Sequence, residues 1–206
     1  MAGRVVAPTV SQGRVELFWL PLGAGGHSVR WNGRVFEAVA ARVAHRPVRD
    51  LYHSALVVTV DDSPHAIEMG PVWQPGTAGR GVVAEGPVGA RWLGRSAMFR
   101  YEVRCTRGGA IPDVAEAVES PQLVSADAAT ALRVLALTPQ VPALTWGRDP
   151  DRVGDMWNSN SLVSWLLVSA GLDLDLVRFP DRGRAPGWDA GVALARRRTG
   201  PTAGIF

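Results

Sequence analysis

The stretch NSNSLVSWLLVSAGL, residues 158–172, sets the tightest limit on what this chain can fold into. Leu162, Trp165, Leu166 and Ser169 recur at helical spacing on one side, and Val163, Leu167 and Ala170 lie beside them. A helix that is apolar over so much of its circumference is stable only when other elements surround it. Gly171 supplies a helix stop, since glycine readily takes the left-handed conformation used there. The segment is therefore a buried helix, and the rest of the chain must cover it. Its first turn is polar instead. Asn158, Ser159 and Asn160 are ordinary capping residues, but they are also groups from which an active site can be made.

The covering elements are mostly strands. Residues 13–20 (GRVELFWL) read as one strand. Asn32-Gly33 stands between two arms containing apolar residues, a hairpin pattern, and the Ala-rich residues 36–46 suit a short helix. LYHSALVVTVDDSPHAIEMG reads as strand, acidic turn at 61–64 and strand. Short strand candidates follow at 81–84 and 88–92, and MFRYEVRC alternates as a strand over 98–105. Ser125 is placed to cap a helix reaching Leu137, which Pro139 and Pro142 terminate. After a loop at 180–187, WDAGVALARRR suits a last helix. Strands early and a buried helix late predict an α+β fold, an antiparallel sheet against the helix. With no repeat and no dividing linker, the 206 residues read as a single domain, long enough for a substantial core.

Composition excludes several function classes. The basic residues are all arginine; the chain has no lysine, as in proteins from high-GC genomes. A phosphate-binding loop of the Walker type is thereby ruled out, and the GAGG at 23–26 lacks the dinucleotide-binding order. The formal charge is only +3, and the arginines are scattered apart from Arg196, Arg197 and Arg198, so no nucleic-acid footprint is expected. No apolar run is long enough for a membrane span, and MAGRVVAPTV carries no secretory h-region. The single Cys105 excludes an internal disulfide. These features predict a cytoplasmic protein. His27 and His45 show no ligand spacing with the other histidines, so neither a metal nor an organic cofactor is expected. Nothing in the sequence sets an oligomeric state.

The residues that suggest chemistry lie in three places. His53 opens a strand in which His53, Ala55, Val57 and Thr59 share a face. His65 and Glu68 lie on the next strand and, by alternation, point to opposite sides of it. Ser159 stands at the start of the buried helix, where free backbone N–H groups and the positive end of the helix dipole favour an anion. Nucleophile, base and orienting group are the three parts of acyl-transfer catalysis. Each residue also has an ordinary role open to it. Ser159, Asn158 and Asn160 can be caps, His53 can bond to backbone, His65 can sit in a wet turn, and Glu68 can face outward. Trp157 and Trp165 suit a core or a pocket wall.

YHSALVVTVDDSPHAIEMG followed by WNSNSLVSWLLVSAGL resembles the permuted branch of the NlpC-type papain-like superfamily. That branch includes lecithin–retinol acyltransferase-like enzymes and bacterial permuted peptidases or amidases. The resemblance covers roughly residues 50–172. It implies a papain-like permuted fold and a catalytic His early on a strand, matched by Tyr52-His53. It also implies a nucleophile at a later helix start, matched by Asn158-Ser159. Glu68 matches the acidic third member of the peptidase-like pattern, and His65 matches the second His of the acyltransferase-like pattern; Glu68 is preferred. Tyr52, Trp157, Asn158 and Asn160 would then contact a peptide or an acyl-bearing small molecule, with backbone N–H groups at 159–161 as the oxyanion site. The departure is Ser159 itself, because the family carries Cys there. A hydroxyl is much harder to ionise than a thiol, so it needs an efficient base. Two functions follow: an amide, ester or thioester hydrolase or acyltransferase that works through serine, or a binding or regulatory module silenced by it.

Overall fold

In the computed structural model the described residues are 12–22, 49–72, 81–150 and 152–199. The expected hairpin at Asn32-Gly33 and the helix at 36–46 lie outside them. The fold is mixed α+β, an antiparallel sheet with several helices.

The strands are β1 (Gly13–Pro21), β2 (Asp50–Val60), β3 (Ser63–Pro71), β4 (Val82–Pro87), β5 (Arg100–Arg107), β6 (Val118–Ser125) and β7 (Gly183–Arg184). The sheet runs β4-β5-β3-β2-β1-β6, so β2 and β3 lie in the middle. The pairs along this path are antiparallel, whereas the short β7 joins the start of β2 in parallel, Asp50 opposite Gly183. The acidic turn between β2 and β3 is two residues long. Asp61 and Asp62 both have positive φ, 46° and 59°, as the tight hairpin turn matched to strand twist requires. Beyond Leu56 and Ile67 the two strands no longer pair, so β3 accompanies only the second half of β2.

Alternation along the strands separates two apolar clusters. Val15, Leu17 and Trp19 of β1, Tyr52, Leu56 and Val58 of β2, and Ile67 and Met69 of β3 share the main core with the helices. Leu20, Ala55, Ala66 and Ile111 form a second, smaller cluster. The period of two accounts for the split, since neighbours on a strand face opposite ways.

The helices are α1 (Ala128–Leu137), α2 (Ser159–Ser169) and α3 (Trp188–Thr199). As expected, α2 is enclosed: every residue from Ser159 to Leu167 is buried. Gly171, at φ 82°, ends it, with its N–H donating to Val168 and that of Leu172 to Leu167. Local corrections are small. The cap of α1 is Asp127, whose carboxylate accepts from Thr130, and not Ser125, which closes β6. The expected strand at 88–92 is instead an isolated bridge at Val88 followed by a 3-10 turn, Arg91–Arg95. The strand expected from Met98 begins at Arg100.

Candidate functional site

The start of α2 sits against β2 where β3 has left it. Asn158 takes an extended conformation and caps the helix, its Oδ1 accepting from the N–H groups of Asn160 at 2.9 Å and Ser161 at 3.3 Å. Ser161 returns the bond, its Oγ accepting from the Asn158 N–H at 2.8 Å and donating to the Met156 carbonyl at 2.8 Å. This reciprocal arrangement is a capping box. Asn160 reaches the sheet. Its Nδ2 donates to the Tyr52 carbonyl at 2.9 Å and the Pro186 carbonyl at 2.8 Å, and its Oδ1 accepts from the Ser54 hydroxyl at 2.8 Å. The Nδ2 of Asn158 also donates to Pro186, at 2.7 Å.

The turn at 185–188 completes the enclosure. Gly187 has φ 94°, and a Cβ there would stand 2.2 Å from Asn158 Oδ1, so only glycine fits. Asp155 ties this turn to the approach of α2. Its carboxylate accepts from the N–H groups of Met156 and Gly187, and from Asp189 in the first turn of α3. Burial pushes the Asp155 carboxyl up from its ordinary range, while those backbone donors pull it back. On the far side of the turn, Ser164 donates to the Trp188 carbonyl at 2.7 Å.

Ser159 is the exception in this cluster. It is 4% exposed, and no hydrogen bond joins its hydroxyl to His53, Glu68 or His65. The strand register explains why. Successive residues of β2 face opposite ways, and Ser54 is the one whose side chain meets α2. His53 shares its face with Ala55 of the second cluster, away from the helix. Burial lowers the His53 pKa to about 4, partly countered by the negative charge of Asp113. His53 is therefore neutral and weakly basic at physiological pH.

The two third-member candidates do not orient His53. His65 pairs with Val58, five positions along β2 from His53 (58 − 53), about 16 Å at the usual strand rise. Its Nδ1 instead faces the Ser63 carbonyl at 3.1 Å. Glu68 lies on the face of Ala66, the same side as His53, and the expected opposite orientation of His65 and Glu68 holds. Its carboxylate is held by Arg104 at 3.0 Å, and Arg104 also approaches Glu102 at 3.6 Å. Burial raises the Glu68 pKa, with Arg104 opposing.

The residues nominated for ligand contact are largely committed to the fold. Trp157 is fully buried, donating from its ring nitrogen to the Tyr101 hydroxyl at 3.2 Å, which in turn donates to the Leu144 carbonyl at 2.6 Å. Burial moves the Tyr101 hydroxyl up to about 12. Tyr52 is buried, its ring close against Gly183, and its pKa is raised by burial and by the charges of Asp50 and Glu119. Of the N–H groups at 159–161 nominated for an oxyanion, those of Asn160 and Ser161 are taken by Asn158. Sequence reasoning missed Ser54, Asp155 and Gly187. The signal for Ser54 was bulk: Tyr52, Leu56 and Val58 are larger than Ala55, Val57 and Thr59, and the larger set faces the helix. Compared with known proteins, the chain matches no family model, no curated protein and no solved structure at a significant level.

Proposed function

We propose that this chain is a catalytically silent domain of papain-like type that works as a binding or regulatory module. The papain-like part is supported by the order of elements: an early central strand carrying His53, and a later buried helix whose start docks on that strand. The silent part is carried by one observation: Ser54, and not His53, is the β2 side chain bonded to the helix start. A serine nucleophile needs a base within hydrogen-bond reach, directly or through one water. Two of the three N–H groups at 159–161 that would stabilise an oxyanion, those of Asn160 and Ser161, are already used by the capping box, which weakens the electrostatic contribution to acyl transfer. The ligand class carried by the resemblance, a peptide or acyl-bearing small molecule, is the first to try. A cytoplasmic setting belongs to the same reading, supported by the lone Cys105.

A second reading keeps the enzyme. It is favoured by Ser159, whose hydroxyl is left out of a network that engages Asn158, Asn160, Ser161 and Ser164. Acyl-ester activity probes separate the two. The expected outcome is no covalent labelling of the natural chain, and labelling of Ser159→Cys, where it occurs, at a rate that His53→Ala leaves unchanged. Labelling of the natural serine that disappears in His53→Ala would establish the enzyme and remove the silent reading.

A further inference from the structure

The connection between β4 and β5 combines a fixed backbone with exposed apolar side chains. Two 3-10 turns, Arg91–Arg95 and Ala97–Phe99, follow one another, and neither buries a residue. Yet the segment is apolar: Trp92 is 72% exposed, Met98 81% and Phe99 39%. It is also firmly held. The N–H groups of Leu93, Ser96 and Phe99 donate to the carbonyls of Ala90, Leu93 and Ser96 in a continuous series. Gly94 lies so close to Pro87 that a Cβ would stand 2.8 Å from its ring, and Arg148 anchors the start of the segment through the Gly89 carbonyl. Held this way, the apolar side chains cannot fold inward, and their exposure to water is a standing cost.

Charge says what covers them. Residues 88–99 contain Arg91 and Arg95 and no acidic residue. Both arginines are exposed, and neither has an ion pair or hydrogen bond among the described residues. The nearest acidic side chain along the strand, Glu85, is paired with Arg100. A rigid turn that combines exposed Trp and Met with unpaired cations suits an anionic lipid surface, where Trp settles at headgroup level and each cation adds attraction. A stable protein interface takes about 20–30 residues a side, far more than this short turn offers. Among the described residues no helix is long and apolar enough to cross a membrane.

We propose that the β4–β5 connection binds anionic membrane surfaces, seating Trp92 and Met98 at the headgroup level with Arg91 and Arg95 against the lipid charges. The inference is independent of the helix-start site. Flotation of the full chain with phosphatidylcholine vesicles, and with vesicles enriched in phosphatidylserine, tests it. Binding is expected to the second kind only, weakening with salt. Replacing both Arg91 and Arg95 by Ala lowers partitioning about thirtyfold, and Trp92→Ser lowers it about tenfold. These positions are exposed, so thermal unfolding should match that of the natural chain. Absence of binding to phosphatidylserine vesicles overturns the proposal, as does binding that both variants leave unchanged. Equal affinity for soluble polyglutamate, insensitive to Trp92→Ser, would assign the arginines to an acidic protein and also overturn it. A dimer formed without vesicles and dissolved by Trp92→Ser would assign the surface to a second copy, with the same consequence.

Discussion

The start of α2 and the β4–β5 connection break the usual distribution of side chains in opposite senses. At the helix start, Asn158, Asn160, Ser161 and Ser164 are polar and buried. At the connection, Trp92 and Met98 are apolar and exposed. The first departure is compensated inside the molecule, because the buried amides and hydroxyls find protein partners. The second finds no compensating partner among the described residues. Polarity alone made the helix start look like the functional surface, but polar groups whose bonds are already made hold a fold together. Groups left unsatisfied by the fold are better indicators of what lies outside it, and the exposed apolar side chains of the connection are such groups.

The sharpest way to break this comparison is Asn160→Leu. The change removes the acceptor of Ser54 and the donor to Tyr52 and Pro186, leaving buried groups unmet. A loss of about 3–5 kcal/mol is expected in urea unfolding. If the loss is below about 1 kcal/mol, the network is not structural, and the polar cluster returns as a ligand site. The double variant with Ser54→Ala should lose less than the sum of the two single changes, because each partner's orphan is then removed.

Next in size is Gly191→Ala in α3. A Cβ there would stand 2.1 Å from the Ser161 carbonyl and 2.2 Å from Ser164 Oγ, so α3 must move off the helix start. About 2–3 kcal/mol of destabilisation is expected. A smaller loss, with the bond from Ser164 to Trp188 intact in a crystal structure, would mean the two helices have room the packing does not indicate.

His53 gives a prediction in pH. Its folded pKa is about 4, below the ordinary 6.5, so the unfolded chain binds the proton more readily between those values. The contribution is therefore fully present above pH 6.5 and is lost as pH falls toward 4. Because the residue is only partly shielded from solvent, about 2 kcal/mol is a reasonable size for the loss. The difference in unfolding free energy between the natural chain and His53→Gln, followed from pH 7 to pH 4, isolates it from the carboxylates. A flat difference would place His53 in water and undo the burial that lowers its pKa.

Much of this layout was legible beforehand because periodicity reports burial. The apolar circumference of residues 158–170 predicted an enclosed helix, and β1, β2, β3 and the stop at Gly171 followed from local patterns. Periodicity does not report which face of a strand meets which neighbour. His53 and Ser54 are adjacent, and a shift of one residue decides whether an imidazole or a hydroxyl meets the helix. β6 went unread because its Pro121 and polar residues suit an edge strand poorly recognised by pattern. The role of Asp155 depends on Gly187 and Asp189, more than thirty residues away, and no local signal carries that pairing.

The smallest expected effect sharpens the comparison most. Trp92→Ser removes a large side chain from a turn that buries nothing, so stability should change by less than about 0.5 kcal/mol. Against the several kcal/mol expected at Asn160, an invisible Trp would show that the fold does not need it. A tryptophan that contributes nothing to stability and remains exposed in a rigid turn requires a use elsewhere. If instead Trp92→Ser lowers the melting temperature by several degrees, the side chain packs onto the body of the protein in solution. The connection would then be as inwardly committed as the helix start.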